Sequence, residues 1–348
     1  MKLIINNIRA SVDDDLNSLK YKSAKKLNVS SNSINGFKIV KESIDARRKP
    51  NISLVYSVMV EINSKYKIPV NSDIRLLEET TCISLNPGDK NIVGRPVVVG
   101  FGPSGMFAAL VLAQNGYKPI VIERGESMEK RTQMVNTFWK DNLLNTETNV
   151  QFGEGGAGTF SDGKLTTRIN DARCEKVLEE LYKHGAPEEI LYKNKPHIGT
   201  DILKNVVVNI RRKIEELGGE VFFNSKLTGL NFNNNTISGI EINDRDIIDT
   251  NILIIAIGHS ARDTFEMMLQ KGIQFEQKPF SIGVRIEHPQ EIINLAQYGS
   301  ASIAPRLGPA DYQLFYKTNG RTVYSFCMCP GGIVVASASE HDTIVTNG

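Results

Sequence analysis

The chain has 348 residues, 41% of them hydrophobic, and its 41 Lys and Arg are nearly balanced by 39 Asp and Glu. At roughly 100–200 residues per domain the length implies two or three domains, and the charge balance lacks the single-sign field on which binding to nucleic acid or an anionic membrane rests. No run has the apolar length of a secretory leader or the roughly 20 residues of a membrane helix, so a soluble, cytoplasmic protein is expected, with neither nucleic acid nor membrane among its partners.

Residues 1–90 read as a small α+β domain, with a strand at 3–9, an amphipathic helix near 13–27 and strands near 36–44 and 52–62. The last of these, ISLVYSVMVEI, has the β-branched and aromatic content of a strand. The polar stretch NPGDKNIVGRP, punctuated by Pro87-Gly88 and Pro96, reads as a linker.

From Pro96 onward short apolar strands alternate with longer helical periods, the mark of a parallel α/β sheet. In VVVGFGPSGM, residues 97–99 are a buried strand, and MFAALVLAQNG is a helix with Met106, Ala109, Leu110 and Ala113 on its apolar side. Gly100-x-Gly102-x-x-Gly105 therefore stands between strand and helix, the context a dinucleotide fingerprint demands. Gly100 permits the tight turn, Gly102 lets the backbone approach a pyrophosphate, and Gly105 lets the helix pack on the strand. Pro103 and Ser104 open a helix whose free N–H groups and positive dipole end suit phosphate. A second strand, KPIVIER, ends at Glu123, 18 residues after Gly105. There a carboxylate accepts hydrogen bonds from both ribose hydroxyls of an adenosine. Arg124 is a neighbouring cofactor candidate, and the carboxylate at the strand end argues against a 2′-phosphate.

The stretch QFGEGGAGTFSDGKLTTR, residues 151–168, holds five glycines between Gly153 and Gly163, followed by Lys164 and Arg168. So much bare backbone beside cations suits a second anion or an extended cofactor, and favours FAD over NAD. The helix at 201–217 places Ile202, Val206, Ile210, Ile214 and Leu217 on one face, with Arg211 and Arg212 read as a solvated one. EVFFN, KLTGLNF, TISGIEI and IIDTNILIIAIG follow as a β-meander feeding a buried strand, and KPFSIGVRIEHP and TVYSFCMCP are strand candidates further on.

SIDARRKP, GFGPSGMFAALVLAQNGYKPIVIERG, FGEGGAGTFSDGKL and IIAIGHSARDTF together resemble an uncharacterised bacterial family of FAD-dependent dehydrogenases. That family is similar in its nucleotide-binding domain to the glutathione-reductase-type flavoproteins, and the resemblance spans essentially the whole chain. It implies Gly100, Gly102 and Gly105, with Pro103 and Ser104, at the FAD pyrophosphate, and Glu123 at the adenosine ribose. It places Gly155, Gly156, Gly158, Thr159 and Gly163 beside the rest of the nucleotide. Ala256 and Gly258 belong to a strand and turn that close over the cofactor, and Leu227 offers backbone groups to the adenine. Phe160, Ser161, Asp162 and Lys164 are the expected contacts near the flavin ring, Lys164 serving equally as a phosphate partner.

The fold class expected is therefore α/β. A Rossmann-like FAD-binding domain with a β-meander covers 96–262 and carries a helical insertion at about 126–200. The small α+β domain precedes it, and 263–348 is part of an inserted mixed α/β substrate domain. Members of the family continue beyond HDTIVTNG, so the chain reads as truncated at its C-terminus. The reaction implied is hydride transfer through the flavin to or from an unknown small molecule, with NAD(P)H as candidate electron donor. The alternatives are an NAD-dependent dehydrogenase, or a non-catalytic or inactive nucleotide-binding protein. The N-terminal domain is the candidate surface for a protein partner. Cys82, Cys174, Cys327 and Cys329 lack zinc-site or dithiol spacing and read as reduced thiols, and no metal is expected. His259 reads as a turn residue. Arg285, His288, Tyr316 and Lys317 are candidates to line a pocket for an acidic substrate.

Overall fold

A computed structural model describes residues 1–63, 65–66, 71–77, 88, 92, 94–160, 163, 165, 167, 169, 171–300, 304–325 and 328–347. Contacts divide the chain into two compact units. The first comprises Met1–Pro87, Glu188–Pro196 and Glu287–Ile333, and the second Gly88–Pro187, His197–Ile286 and Val334–Gly348. The stretch 263–348, read above as one piece, is thus shared between them.

In the first unit, β1 (Lys2–Ala10), α1 (Leu16–Leu27), β2 (Ile34–Asp45), β3 (Ser53–Ile62) and β4 (Ile74–Leu76) form a sheet of order β2-β3-β1-β4. Every pairing is antiparallel, the arrangement of a split βαβ motif. Asp15 caps α1 by accepting a hydrogen bond from the Ser18 amide. The helix buries Leu19, Ala24 and Leu27 against Leu3, Ile5, Val58 and Val60. The free edge of β2 is covered from a distant part of the chain: the Glu42 amide donates to the Tyr192 carbonyl at 2.8 Å, and the Asn194 amide to the Glu42 carbonyl at 3.0 Å.

The second unit is built on β5 (Val97–Val99), α2 (Pro103–Gln114), β6 (Ile120–Ile122), α3 (Met128–Asp141), α4 (Arg173–Lys183) and α5 (Thr200–Glu216). Then come β7 (Glu220–Phe222), β8 (Leu227–Asn233), β9 (Thr236–Ile242), β10 (Asp246–Asp249), β11 (Leu253–Ile255) and α6 (Arg262–Gln270). The main sheet has order β11-β5-β6-β7 and is parallel throughout. Its central strand is wholly buried, as a strand covered on both faces must be. β8, β9 and β10 form the antiparallel meander between β7 and β11. The α/β class with a parallel sheet is as expected. EVFFN, however, joins the parallel sheet through β7, because Val221 pairs with Val121. In α5 the buried residues include Leu203, Val206, Val207, Ile210 and Ile214, while Ile202 is exposed.

Beyond α6, α7 (Gln290–Tyr298) and the hairpin of β12 (Phe315–Thr318) with β13 (Arg321–Tyr324) belong to the first unit. β14 (Val335–Ala336) and β15 (Thr346–Asn347) return to the second. There the Trp139 indole donates to the Ala336 carbonyl at 2.8 Å, and the Gln151 amide to the Ser337 carbonyl at 3.1 Å. The strand expected in KPFSIGVRIEHP does not form, and Phe280 and Val284 are 87% and 96% exposed. Strand propensity needs a neighbouring strand, and among the described residues no strand forms a ladder with this segment. No helix among the described residues is long and apolar enough to cross a membrane.

Candidate functional site

β5 is the centre of the parallel sheet, with α2 leaving from its carboxyl end and β11 on its other side. A cavity of about 570 Å³ opens at those strand ends, within the second unit. This is the crevice in which open α/β sheets bind ligands, and its size is that of cofactor clefts, roughly 300–1,000 Å³.

Gly100 has φ of +94°, and a Cβ there would lie 2.5 Å from the Ala256 carbonyl oxygen; a Cβ on Gly105 would lie 1.8 Å from the Gly100 oxygen. The turn thus closes only with glycine at both positions. Gly102 precedes the helix in extended conformation, has no side chain to cap it, and is followed by Pro103 at the helix start. The first intrahelical bond is that of the Met106 amide to the Gly102 carbonyl, so the amides of Ser104 and Gly105 are the open donors of the helix end. Opposite lies the second glycine-rich run. A Cβ on Gly156 would come within 3.0 Å of the Gly102 Cα, so the two runs touch backbone to backbone.

Glu123 is 5% exposed. One carboxylate oxygen accepts the Phe101 amide at 2.7 Å, and the other accepts the amides of Gly125 and Gly153, each at 2.9 Å. A carboxylate offers about four acceptor sites, so about one remains. Glu123 thus ties the first turn to the glycine-rich run, and about one acceptor site is left for the two ribose hydroxyls expected there. Arg124 also lines the cavity, but its guanidinium is committed. It pairs with Glu147 at 2.7 Å, reaches both Asp263 oxygens at 2.9 and 3.0 Å, and lies 4.2 Å from the centre of the Phe152 ring. Lys226 completes a ring of alternating charges, 3.2 Å from Glu147 and 2.6 Å from Asp263. Burial pushes the Asp263 carboxyl up, yet its hydrogen bonds to Arg124 and Lys226 hold it well below the usual carboxylate range.

Of the expected cofactor residues, Gly100, Gly102, Pro103, Ser104, Glu123, Arg124, Gly156, Gly158, Leu227, Ala256 and Gly258 line the cavity. Four do not. Gly105 is buried against the turn, and Gly155 stands behind it with its amide on the Phe101 carbonyl at 2.8 Å. Thr159 is buried with its hydroxyl donating to the Gly156 carbonyl at 2.7 Å. Gly163 packs on Gly199. Phe160, expected at the flavin ring, is instead a core residue with Val135 and Val150, its ring facing the Arg131 guanidinium at 4.7 Å and the Lys204 ammonium at 4.6 Å. Ser161, Asp162 and Lys164 lie outside the described residues, as do Cys82 and Cys327.

Arg211, read above as solvated, pairs at 2.8 Å with Glu154, whose side chain is 0% exposed. The Met128 amide donates to the second Glu154 oxygen at 2.7 Å. A buried carboxylate needs such partners, and burial pushes this one up all the same. Arg212 is exposed, as expected. Sequence reasoning also missed Arg131, which is 0% exposed. The signal was present: on α3 the buried positions are Met128, Arg131, Val135 and Phe138, an apolar stripe of helical spacing with one arginine in it. His259 lines the cavity. Arg285 falls in the second unit and donates to Asn347, whereas His288, Tyr316 and Lys317 fall in the first. Among the described residues no three His, Cys, Asp or Glu gather as a metal site.

Residues 279–348 match the family described as FAD-dependent protein, C-terminal domain-like, and residues 1–61 match a domain of unknown function. An uncharacterized protein of Clostridium beijerinckii is 54% identical over 354 residues, a match covering all of this chain and 66% of the relative's length. Among solved structures, THI4 of Thermovibrio ammonificans is 18% identical, with 52% of this chain and 62% of that one covered and a TM-score of 0.36. The glycine oxidase of Bacillus cereus is 14% identical over 49% and 56%, with a TM-score of 0.34. The match to FAD-dependent proteins thus lies in residues 279–348, and the relative aligned over the whole chain is itself uncharacterized.

Proposed function

We propose that the second unit binds FAD in this cavity and that the protein is an FAD-dependent oxidoreductase acting on a small molecule, with NAD(P)H as its electron donor. The observation that carries the reading is the contact between two bare glycine runs, Gly102 against Gly156, at the uncapped start of α2. Such a cradle suits a ligand that lays a charged, extended group along backbone. In this reading the Ser104 and Gly105 amides meet the pyrophosphate. Glu123 holds one ribose hydroxyl with its remaining acceptor site, and Leu227 offers backbone to the adenine. The committed state of Arg124 supports a ribose without a 2′-phosphate. Bound flavin would supply two-electron chemistry at its ring, the protein contributing position and electrostatics. Ser161, Asp162 and Lys164 remain the proposed neighbours of that ring, and the N-terminal domain the proposed surface for a protein partner.

The test is the visible absorption of the purified chain, with heat release and chromatography of any chromophore. A flavin spectrum and released FAD are expected. A colourless chain that takes up no added FAD would overturn the reading.

A further inference from the structure

We infer that Arg131 is the positioning residue of the cavity's glycine-rich wall: it holds the carbonyls of Asn149, Val150, Glu154 and Gly156 inward, so that the wall at Gly156 and Gly158 receives phosphate. The ligand's identity rests on the FAD reading; the role of Arg131 rests on its own geometry. The guanidinium is completely buried. Nε donates to the Asn149 carbonyl at 3.0 Å. Nη1 donates to the Glu154 carbonyl at 2.5 Å and the Thr159 hydroxyl at 3.0 Å. Nη2 donates to the carbonyls of Val150 at 3.1 Å and Gly156 at 3.0 Å. A guanidinium has five N–H donors in a rigid fork, and all five are used.

Four of the five acceptors are backbone carbonyls of one short run. Each carbonyl held by Arg131 is one that cannot turn toward the cavity and repel an anion there. From the other side Glu123 takes the Gly153 amide of the same run, so the loop is gripped by an acceptor and a donor, each from a fixed element. The stem of Arg131 occupies the space a side chain at position 153 would need: a Cβ there would lie 2.4 Å from the Arg131 Cδ. Among the described residues no carboxylate forms an ion pair with this guanidinium; Glu123 and Glu154 act on it through space. Burial lowers it to about 10, which keeps it cationic at neutral pH. Lysine cannot replace it, because three donors on one nitrogen do not reach acceptors spread along eight residues.

The test is Arg131→Lys in the full chain, with affinities for ADP and for adenosine measured by calorimetry and folding followed by Trp139 fluorescence. A positioning role toward phosphate predicts that R131K loses ADP affinity by about tenfold or more, or ~1.4 kcal/mol, while adenosine binding stays unchanged. Equal loss of both ligands, or loss of neither, would overturn the inference. Should R131K not fold, Thr159→Val removes one acceptor without touching α3. It is expected to shift ADP and not adenosine, by a smaller factor, and an unchanged ADP affinity would sink the idea. A wild-type chain that binds ADP but not FAD would overturn the flavin reading and leave the role of Arg131 to be decided by these variants.

Discussion

Glu123→Gln isolates the carboxylate on which the two glycine runs hang. One oxygen of Glu123 accepts a single amide and the other accepts two. Gln keeps most bonds when its oxygen takes the place of the doubly bonded one, which sets its NH₂ against the Phe101 amide. One bond is then lost, and a buried N–H is left unsatisfied at about 1–3 kcal/mol. The two surviving bonds fall from charged to neutral strength, each by about 1 kcal/mol. The sum is a destabilisation of about 3–5 kcal/mol in the second unit. The chain's one tryptophan, Trp139, lies in that unit with its edge toward Phe160, so its fluorescence during urea unfolding reports the right transition. Loss of less than about 1 kcal/mol, the net value of one neutral hydrogen bond, would refute the claim that Glu123 is first a structural anchor.

Two glycines, one from each glycine run, should behave oppositely. Gly105→Ala places a methyl into the Gly100 oxygen and is expected to leave no soluble folded chain, whereas Gly158→Ala meets nothing within 4 Å and should leave the urea midpoint unchanged; equal behaviour would contradict the packing. Arg211→Met leaves Glu154 buried without its cation, at a cost of roughly 3–5 kcal/mol at neutral pH. The folded-state carboxyl of Glu154 is already raised, so that loss should shrink as pH falls and the carboxyl becomes protonated, and grow as pH rises through its folded pKa. A loss independent of pH, followed by denaturation across the acid range, would refute the role of the charge. Asp263 is lowered, so the stability it contributes is present above the ordinary carboxylate pKa and lost as pH falls through its folded one. Carboxyl NMR should find it titrating below the bulk of the aspartates, and a normal midpoint would mean that the ring with Arg124 and Lys226 does not persist in solution.

The fingerprint was legible because its causes are local. A strand, a turn that excludes Cβ atoms and a helix start are set by residues a few positions apart, and Gly100, Gly102, Pro103, Ser104 and Glu123 all stand where the spacing put them. Strand periodicity likewise marked β1, β3, β8 and β9. The sequence reading failed where a residue's partner is remote. Thr159 and Phe160 sit in a glycine-rich run that reads as cofactor-facing throughout, yet both turn inward, toward Arg131 on α3. Arg211 stands on the face of a helix that periodicity marks as solvated, and only the fold brings Glu154 to it, 57 residues away.

What the sequence determined by itself, then, is where backbone must approach backbone and which faces are apolar, since glycine placement and period depend on nearest neighbours along the chain. Only the tertiary structure decided which polar groups are buried and by what they are satisfied. A hydrogen bond such as those Arg131 makes to carbonyls 18 to 25 residues away leaves no period in the sequence, because its energy comes from excluding water around a pair that the fold has brought together.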